Sequence, residues 1–432
     1  MATADIHLGR ISSESDSIGD HATTRFTWYR LVEWAIDQSV DAVAIAGDIV
    51  EHDNRYFEAA GALERGLADL NKAGISVYMI AGNHDYDVLP ALMKEKNWEN
   101  VHLLGKDDKW EVHMASFNGI DIQFVGWSFP ERYYRQDPFR KLSVNQINPG
   151  LPSIGLFHGD YEMGESQYAP TQFSSLSGKA VDAWIMGHIH KPQVFQDSGP
   201  LIMYTGSPHA LSMREQETHG PVLITVESSN RIEYEHIAMS PVQFEVAEVD
   251  ITECDTKDDI RREMILTSET EATLRIQDPS KIRLVVFDIV LTGIHKNVSE
   301  IDDWLIDWDS EQYRGKKDGY EIAFRKIHNR SKTKIEDLPA LAKQPSPAGL
   351  LAQAIIDLET GRESEFINTL KKQMSGTIAD MNLSKVFLPI RNEDEGTQID
   401  PAKDVQQIDE MLLTECHRLL SELLATKEEA TI

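Results

Sequence analysis

The chain of 432 residues is longer than one hydrophobic core usually supports, so we expect two or three domains. A hydrophobic fraction of 41% excludes a disordered chain, and no run approaches the roughly 20 apolar residues of a membrane span. The net charge of −29 argues against nucleic acid as a partner, unless the contact is local or is shared with another protein. The two cysteines, Cys254 and Cys416, form no metal or redox motif and the first residues show no secretory pattern, so we expect a cytoplasmic protein.

The first half of the chain predicts a layered α/β core. Short apolar runs indicate strands at residues 42–46, 76–81, 120–126, 154–158, 183–186, 201–205 and 222–227. Apolar residues from Phe26 to Ile36 indicate a helix before the first of these strands. Strands that alternate with helices form layered sheets, and such sheets place their ligands beyond the carboxyl ends of the strands. The polar residues that follow these runs are therefore the candidate functional residues.

The pattern changes near Gln243. Strand-like stretches at 244–251, 282–292 and 320–327, separated by helix-like segments, predict a small α+β cap. Residues 329–347 are rich in Lys, Ser and Pro and predict a linker. Helices are predicted at 348–358, 363–374 and 405–425, with a polar, acidic loop at 392–398. The predicted domains are a core at 1–242, a cap at 243–330, and a linker with a helical region at 331–432.

Five short polar segments follow apolar runs in the first half. They are Asp5-Ile6-His7, Gly47-Asp48, Gly82-Asn83-His84-Asp85, His158-Gly159-Asp160 and Gly187-His188-Ile189-His190. Alone, all but the fourth are weak signals, because an isolated Asp-x-His is more often a surface pair and an isolated His is usually a hydrogen-bonded core or loop residue. Together they supply imidazoles, carboxylates and an amide, a ligand set that suits manganese, iron or zinc. The sequence therefore predicts a metal centre.

In order and residue type, these segments resemble the motifs of calcineurin-like metallophosphoesterases over residues 1 to about 240. The resemblance implies a sandwich of two central sheets flanked by helices, and two divalent metal ions, manganese being expected. It implies that one ion takes Asp5, His7, Asp48 and His190, and that the other takes Asp48, Asn83, His158 and His188. His84 would contact the scissile phosphate or protonate the leaving group, with Asp85 either as its partner or as a residue of the turn.

Three features resemble the SbcD-like nuclease branch of that family. These are the opening run from Thr3 to Gly9, the closing run from Tyr204 to Pro208 with Gly220, and the added cap and helical tail. The resemblance implies a 3′–5′ exonuclease and endonuclease of DNA double-strand-break processing, with DNA ends, hairpins or single strands as substrate. It also implies an SbcC-like coiled-coil ATPase as partner, no membrane, and leaves a homodimer open.

Two other functions remain open at this point. The fold also hosts phosphodiesterases and phosphatases that act on small nucleotides or phosphoproteins. A scaffold without activity is disfavoured, because the whole ligand set and His84 are present. Only four residues precede Asp5, so either the strand that delivers it is short or the true start of the protein lies upstream.

Two basic clusters and one apolar stripe are open to alternative interpretations. Residues 132–141 interleave Arg and Lys with aromatics, which is typical either of a nucleic-acid surface or of solvated charge beside buried rings. The basic residues of 325–334 favour a linker surface. In the tail, six residues recur at helical spacing and predict either a docking face for the ATPase or a small self-packed bundle: Val405, Ile408, Leu412, Cys416, Leu419 and Leu423.

Overall fold

A computed structural model gives the fold. It describes residues 1–51, 57–96, 98–164, 166–196, 199–228, 231–296, 298, 300–301, 303–305, 313–333, 337–383, 400 and 404–429. The chain divides into two compact units. The first contains Met1–Glu245, Glu271–Phe287 and Arg314–Ala323, and the second contains Val246–Thr270, Asp288–Tyr313 and Phe324–Ile432. Within the described residues, no helix is both long enough and apolar enough to cross a bilayer.

Two six-stranded sheets form the centre of the first unit. Their strands are β1 (Ala2–Thr3), β2 (Ala42–Ala46), β3 (Ser76–Ile80), β4 (Val101–Leu103), β5 (Glu111–Phe117), β6 (Ile120–Gly126), β7 (Ser153–His158), β8 (Ala183–Gly187), β9 (Gln193–Gln196), β10 (Leu201–Tyr204), β11 (Val222–Ser228) and β12 (Arg231–His236). One sheet has the order β12-β11-β1-β2-β3-β4 and the other β5-β6-β7-β8-β10-β9. Strands β1 to β4 are parallel, as are β6, β7, β8 and β10.

The two sheets pack face to face around an apolar layer. Tyr78 of β3 stacks on Phe124 of β6 with ring centroids 3.8 Å apart and nearly parallel planes. Leu156 of β7 points into the same layer, whereas its neighbour Phe157 packs on the opposite face of the sheet against Trp184 and other aromatic residues. This alternation follows from the two-residue period of a strand. Because both faces are buried, the strands read as continuous apolar runs in the sequence.

Helices cover the outer face of the first sheet. These helices are α1 (Thr24–Asp37) and α2 (Phe57–Lys72). The unit also contains the shorter helices α3 (Val88–Glu95) and α4 (Phe173–Leu176). Short 3-10 helices span Asp16–Ala22, Pro138–Lys141 and Val144–Gln146. Gly66 of α2 lets this helix approach α1, because a Cβ there would lie 2.4 Å from Nε1 of the buried Trp28. The observed architecture is the predicted sandwich of two sheets flanked by helices.

The predicted metal-binding segments all follow strands of these two sheets. Residues Ala2 and Thr3 pair with Ala44 and Ile45 of β2, and Ala2 also pairs with Val222 of β11. In this chain the strand before Asp5 spans Ala2–Thr3. Because β1, β2 and β3 are parallel, their carboxyl ends meet at one edge of the first sheet.

A four-stranded sheet follows, with the order β13-β14-β17-β16. Its strands are β13 (Val242–Asp250), β14 (Leu284–Thr292), β16 (Arg314–Lys317) and β17 (Tyr320–Asn329), and helix α5 (Lys257–Arg275) lies between the first two in sequence. Strands β15 (Ile294–His295) and β18 (Lys332–Thr333) form a separate parallel pair. The predicted linker is therefore only partly a linker. It contains β18 and helix α6 (Leu338–Ala342), while residues 334–336 lie outside the described part.

The tail forms a helical bundle of α7 (Pro347–Glu359), α8 (Glu365–Leu383) and α9 (Val405–Glu429). Helix α7 begins with a side-chain cap, since Ser346 Oγ accepts a hydrogen bond of 3.1 Å from Gly349 N. The apolar stripe of α9 is divided: Ile408 and Cys416 are buried within the bundle, whereas Leu419 is 36% exposed. The self-packed interpretation thus accounts for half of the stripe. The predicted acidic loop at 392–398 lies outside the described residues.

Candidate metal centre

The seven predicted ligand residues converge at the carboxyl ends of the strands. Nε2 of His7 lies 3.0 Å from Nε2 of His190, and Nε2 of His158 lies 3.0 Å from Oδ1 of Asn83. Nδ1 of His188 lies 3.2 Å from the same Asn83 oxygen. The donor atoms form three overlapping groups, each within 4.8 Å: Asp5, His7 and His190; His7, Asp48 and His84; Asp48, His158 and His188.

Asp48 occupies the middle of the cluster. Its Oδ2 lies 3.3 Å from Nε2 of His158 and 3.9 Å from Nε2 of His7, so one carboxylate oxygen faces both halves of the site. The side chain is 3% exposed, and neighbouring imidazoles hold the pKa of Asp48 far below its usual range although burial alone would raise it. A buried carboxylate between two sets of imidazole nitrogens has the position of a bridging ligand.

The backbone is unusual at several predicted ligand residues. Asp5, His7 and Asp48 have φ angles of 51°, 48° and 50°, in the left-handed region that residues with a Cβ rarely adopt. A Cβ on Gly82 would lie 2.2 Å from Oδ1 of Asp48, so only glycine fits there. Conformations of this kind cluster at functional sites, because the surrounding structure must hold them in place.

A protein acceptor faces the outer nitrogen of each predicted imidazole ligand. Nδ1 of His158 contacts the carbonyl oxygen of Ala46 at 2.9 Å. Nδ1 of His190 contacts Glu215 at 2.8 Å, and Nε2 of His188 lies 3.3 Å from Asp160. Nδ1 of His7 lies 3.1 Å from Glu51. An acceptor on one side of the ring places the proton there and leaves the inner nitrogen free to bind an ion. The donor set thus fits divalent metal ions.

His84 stands at the open side of this cluster. Its side chain is 30% exposed, with Nε2 lying 3.9 Å from Oδ2 of Asp48, while its backbone N–H donates to Oδ1 of Asp48 at 2.9 Å. Nδ1 of His84 lies 2.8 Å from Oε1 of Glu51. Burial alone would lower the pKa of His84, but the hydrogen bond to Glu51 and the charge of Asp48 raise it above its usual value. His84 can therefore keep a proton beside the cluster.

Of the two roles left open for Asp85, the structure shows the one in the turn, and the carboxylate that contacts His84 Nδ1 is that of Glu51. Asp85 is fully buried and accepts hydrogen bonds from the backbone N–H groups of Ile49 (2.6 Å), Gly82 (2.8 Å) and Val50 (3.2 Å). Burial and the neighbouring Asp48 raise the pKa of Asp85 to about 7, despite these bonds. Asp85 ties the turn after β2 to the turn after β3.

Two glutamates with a part in the site escaped the sequence analysis. Glu51 contacts both His7 and His84, and its position three residues after Asp48 was the signal that could have revealed it. Glu215 accepts hydrogen bonds from Ser207 Oγ (3.0 Å) and from the backbone N–H of Leu211 (2.8 Å) besides its contact with His190. It lies 25 residues beyond His190, so no local pattern connects the two.

The basic cluster at 132–141 splits into two parts. Tyr134 is buried and donates its hydroxyl to Asp108, which also pairs with Lys141. Tyr134 and Lys141 thus hold this segment against Asp108. Arg132, Tyr133, Arg135 and Arg140 are exposed. Exposed charge beside a buried ring thus describes Arg140 and Lys141 with Phe139 and Tyr134, whereas Tyr133 is an exposed ring.

Comparison with known proteins finds similarity to the first part of the chain. Residues 1–192 match the family model described as calcineurin-like phosphoesterase. A protein of Bacillus subtilis named "Uncharacterized metallophosphoesterase YhaO" is 30% identical over 226 residues, covering 52% of this chain and 54% of that protein. "DNA double-strand break repair protein Mre11" of Methanopyrus kandleri is 28% identical over 265 residues, covering 54% of this chain and 55% of that protein.

The chain is also similar to a nuclease component and to a solved phosphatase structure. The SbcD component of the SbcCD nuclease of Bacillus subtilis is 24% identical over 248 residues, covering 50% of this chain and 62% of that protein. The chain thus spans about half the length of the curated relatives it matches. Among solved structures, a dimetal phosphatase of Danio rerio aligns with a TM-score of 0.34 and 14% identity, covering 54% of this chain and 96% of that one.

Proposed function

Because residues 1–192 match the calcineurin-like phosphoesterase family model, we propose that the protein is a metal-dependent DNA nuclease and a component of an SbcCD-type complex. The observation that carries the proposal is the convergence of the seven predicted ligand residues, with the partly exposed His84 beside them. Relatives named as Mre11 and as the SbcD component of a nuclease support DNA as the substrate.

The donors divide between two ions. Asp5, His7 and His190 would hold the first, and Asn83, His158 and His188 would hold the second, with Asp48 shared. When bound, such ions act as Lewis acids that activate water and offset charge on phosphate oxygens. We expect manganese because imidazole, carboxylate and amide ligands suit borderline divalent ions.

The residues around the ions would orient the imidazole ligands and protonate the leaving oxygen. Glu215 would fix the tautomer of His190 by accepting at its outer nitrogen, and Glu51 faces the outer nitrogen of His7 at 3.1 Å. His84 would donate a proton from Nε2 to the leaving oxygen as a general acid, while Glu51 accepts at Nδ1 and orients the ring. Asn83 adds an oxygen ligand without adding charge.

A coiled-coil ATPase of the SbcC type is the proposed partner, and the tail is its docking region. Besides Leu419, the exposed apolar residues of the bundle include Leu350 at 61% and Phe366 at 44%. Apolar helical faces of this kind suit helix-in-groove docking. We further propose 3′–5′ polarity and a cytoplasmic location. The acidic net charge of −29 favours the alternative function, a phosphodiesterase or phosphatase acting on small nucleotides or phosphoproteins.

One assay separates these functions. The chelated chain is reloaded with Mn²⁺ and given linear duplex DNA labelled at one 3′ end, a hairpin, bis(p-nitrophenyl) phosphate and p-nitrophenyl phosphate. We expect metal-dependent cleavage of the DNA and of the diester. Asp48→Ala should abolish both, and Asp37→Ala, on an exposed residue of α1, should leave both unchanged. Hydrolysis of the monoester alone, with intact DNA, would contradict the nuclease proposal.

A further inference from the structure

A line of aromatic rings leads from the metal centre to the surface of the first unit. The ring of Tyr168 lies 4.8 Å from that of His188, one of the predicted ligand residues. The ring of Tyr133 lies 5.9 Å from that of Tyr168, and the guanidinium of Arg132 lies 5.6 Å above the Tyr133 ring. Tyr133 is 44% exposed, so a large aromatic surface remains in contact with water.

Backbone hydrogen bonds fix this line in place. Tyr134 N donates to the carbonyl oxygen of Gln167 at 2.8 Å, and Ala169 N donates to that of Tyr134 at 2.6 Å. Asp160 N donates to the carbonyl oxygen of Tyr168 at 2.8 Å, while the side chain of Asp160 contacts His188. The position of Tyr168 is thus tied to the residues that form the metal centre.

The exposure of Tyr133 has no explanation in packing. Its neighbour Tyr134 is 7% exposed and belongs to the apolar cluster on the outer face of the second sheet. Since the two side chains point in different directions, Tyr134 anchors the segment and Tyr133 is presented to solvent. An exposed cation–π contact such as that of Arg132 is weak, so a ligand ring can take its place on the tyrosine.

We propose that Tyr133 and Tyr168, with Arg132, form a stacking site for a nucleobase that flanks the phosphate at the metal centre. This inference rests on the proposed function and names the part of the substrate that the rings recognise. Every base has a π-face, so a tyrosine ring accepts any of them, and an arginine beside it can pair with the adjoining phosphate or stack on the base.

The arrangement has a consequence for substrate choice. A base can lie on Tyr133 only when it has left its partner and its neighbours in the duplex, which costs free energy in double-stranded DNA and little in a single strand. The site therefore favours unpaired nucleotides, such as frayed ends or single strands. A phosphate ester without a base gains nothing from it.

Binding without cleavage tests the proposal. The protein is kept in EDTA, and anisotropy is measured for two labelled oligomers of equal length, a single-stranded oligodeoxynucleotide and one built only of abasic sites. We expect the base-bearing oligomer to bind more tightly. Tyr133→Leu should weaken its binding by about tenfold, the scale of losing one stacked base, and should leave the abasic oligomer unaffected. Tyr133→Trp should retain the preference.

Tyr234→Leu is the matched control, because Tyr234 is 41% exposed on β12, the edge strand of the first sheet. It should bind both oligomers as the wild type does. The proposal is overturned if Tyr133→Leu keeps wild-type affinity, if it weakens both oligomers equally, or if the wild type binds neither. Cleavage of the same oligomer by the Mn²⁺-loaded wild type reports on the proposed nuclease function separately, since binding in EDTA does not depend on turnover.

Discussion

Replacing Glu51 with glutamine should weaken metal binding, because one carboxylate serves two histidines. Oε2 of Glu51 lies 3.1 Å from Nδ1 of His7, and Oε1 lies 2.8 Å from Nδ1 of His84. Burial alone would raise the pKa of Glu51, but its contacts with the two histidines hold it well below the usual range. Glu51 is thus ionised, and its two oxygens face the two rings. An amide offers one acceptor and one donor, so it can accept from only one of them.

In Glu51→Gln, the amide oxygen should face His84, which makes the shorter of the two contacts. His7 then faces an N–H donor, which favours a proton on its inner nitrogen, Nε2, and a protonated nitrogen cannot bind an ion. The loss is the contact of one carboxylate oxygen with His7, and a hydrogen bond to a charged group, about 1.5–3 kcal/mol, sets its scale. At about 1.4 kcal/mol for each factor of ten, this predicts a roughly 10- to 150-fold lower affinity for at least one ion. Removing a group that orients a metal ligand typically lowers metal affinity or activity roughly 10- to 100-fold.

Calorimetric titration of the chelated protein with Mn²⁺ measures this directly. Glu33→Gln, which makes the same chemical change on an exposed residue of α1, should titrate as the wild type does. Melting temperatures of the metal-free proteins show whether the substitution disturbs the fold. Affinity of Glu51→Gln within twofold of the wild type for both ions would show that Glu51 does not set the tautomer of His7.

Four further predictions follow from the structure. Asp48→Ala should lose both ions, because Oδ2 faces both halves of the site; elemental analysis with two ions still bound would contradict this. His84→Ala should retain both ions but lose roughly two to four orders of magnitude in turnover of a phosphodiester, and near wild-type rates would make His84 structural. His209 is buried, and burial lowers its pKa to about 4. Between pH of about 6.5 and 4 only the unfolded chain protonates this histidine, so the folded state loses stability as the pH falls through that range. His209→Gln should therefore reduce this pH dependence by about 3 kcal/mol in urea unfolding curves, and parallel curves for the two proteins would refute it. Leu350→Glu, at a position 61% exposed in the bundle, should lower affinity for the ATPase at least about tenfold while diester cleavage stays unchanged; co-purification at full strength would place docking elsewhere.

The sequence alone determined the strands and the residue types of the site. The predicted strands at 42–46 and 120–126 agree with β2 and β6 to the residue, because strands buried on both faces leave continuous apolar runs. The polar segments could be found because each stands directly after such a run, where a parallel sheet presents its ligands. The family resemblance then implied that these segments form one metal site. The folded chain brings all seven predicted ligand residues together.

Only the tertiary structure decided which groups act on those residues. Glu215 meets His190 across 25 residues of chain, and Tyr133 meets Tyr168 because a backbone bridge joins Tyr134 to Tyr168. The same holds for the α9 stripe, where Ile408 is buried against the other tail helices and Leu423 is 39% exposed. A helical period specifies that a face is apolar but not what covers it. Contacts between distant segments depend on sheet order and packing, which a local pattern does not encode.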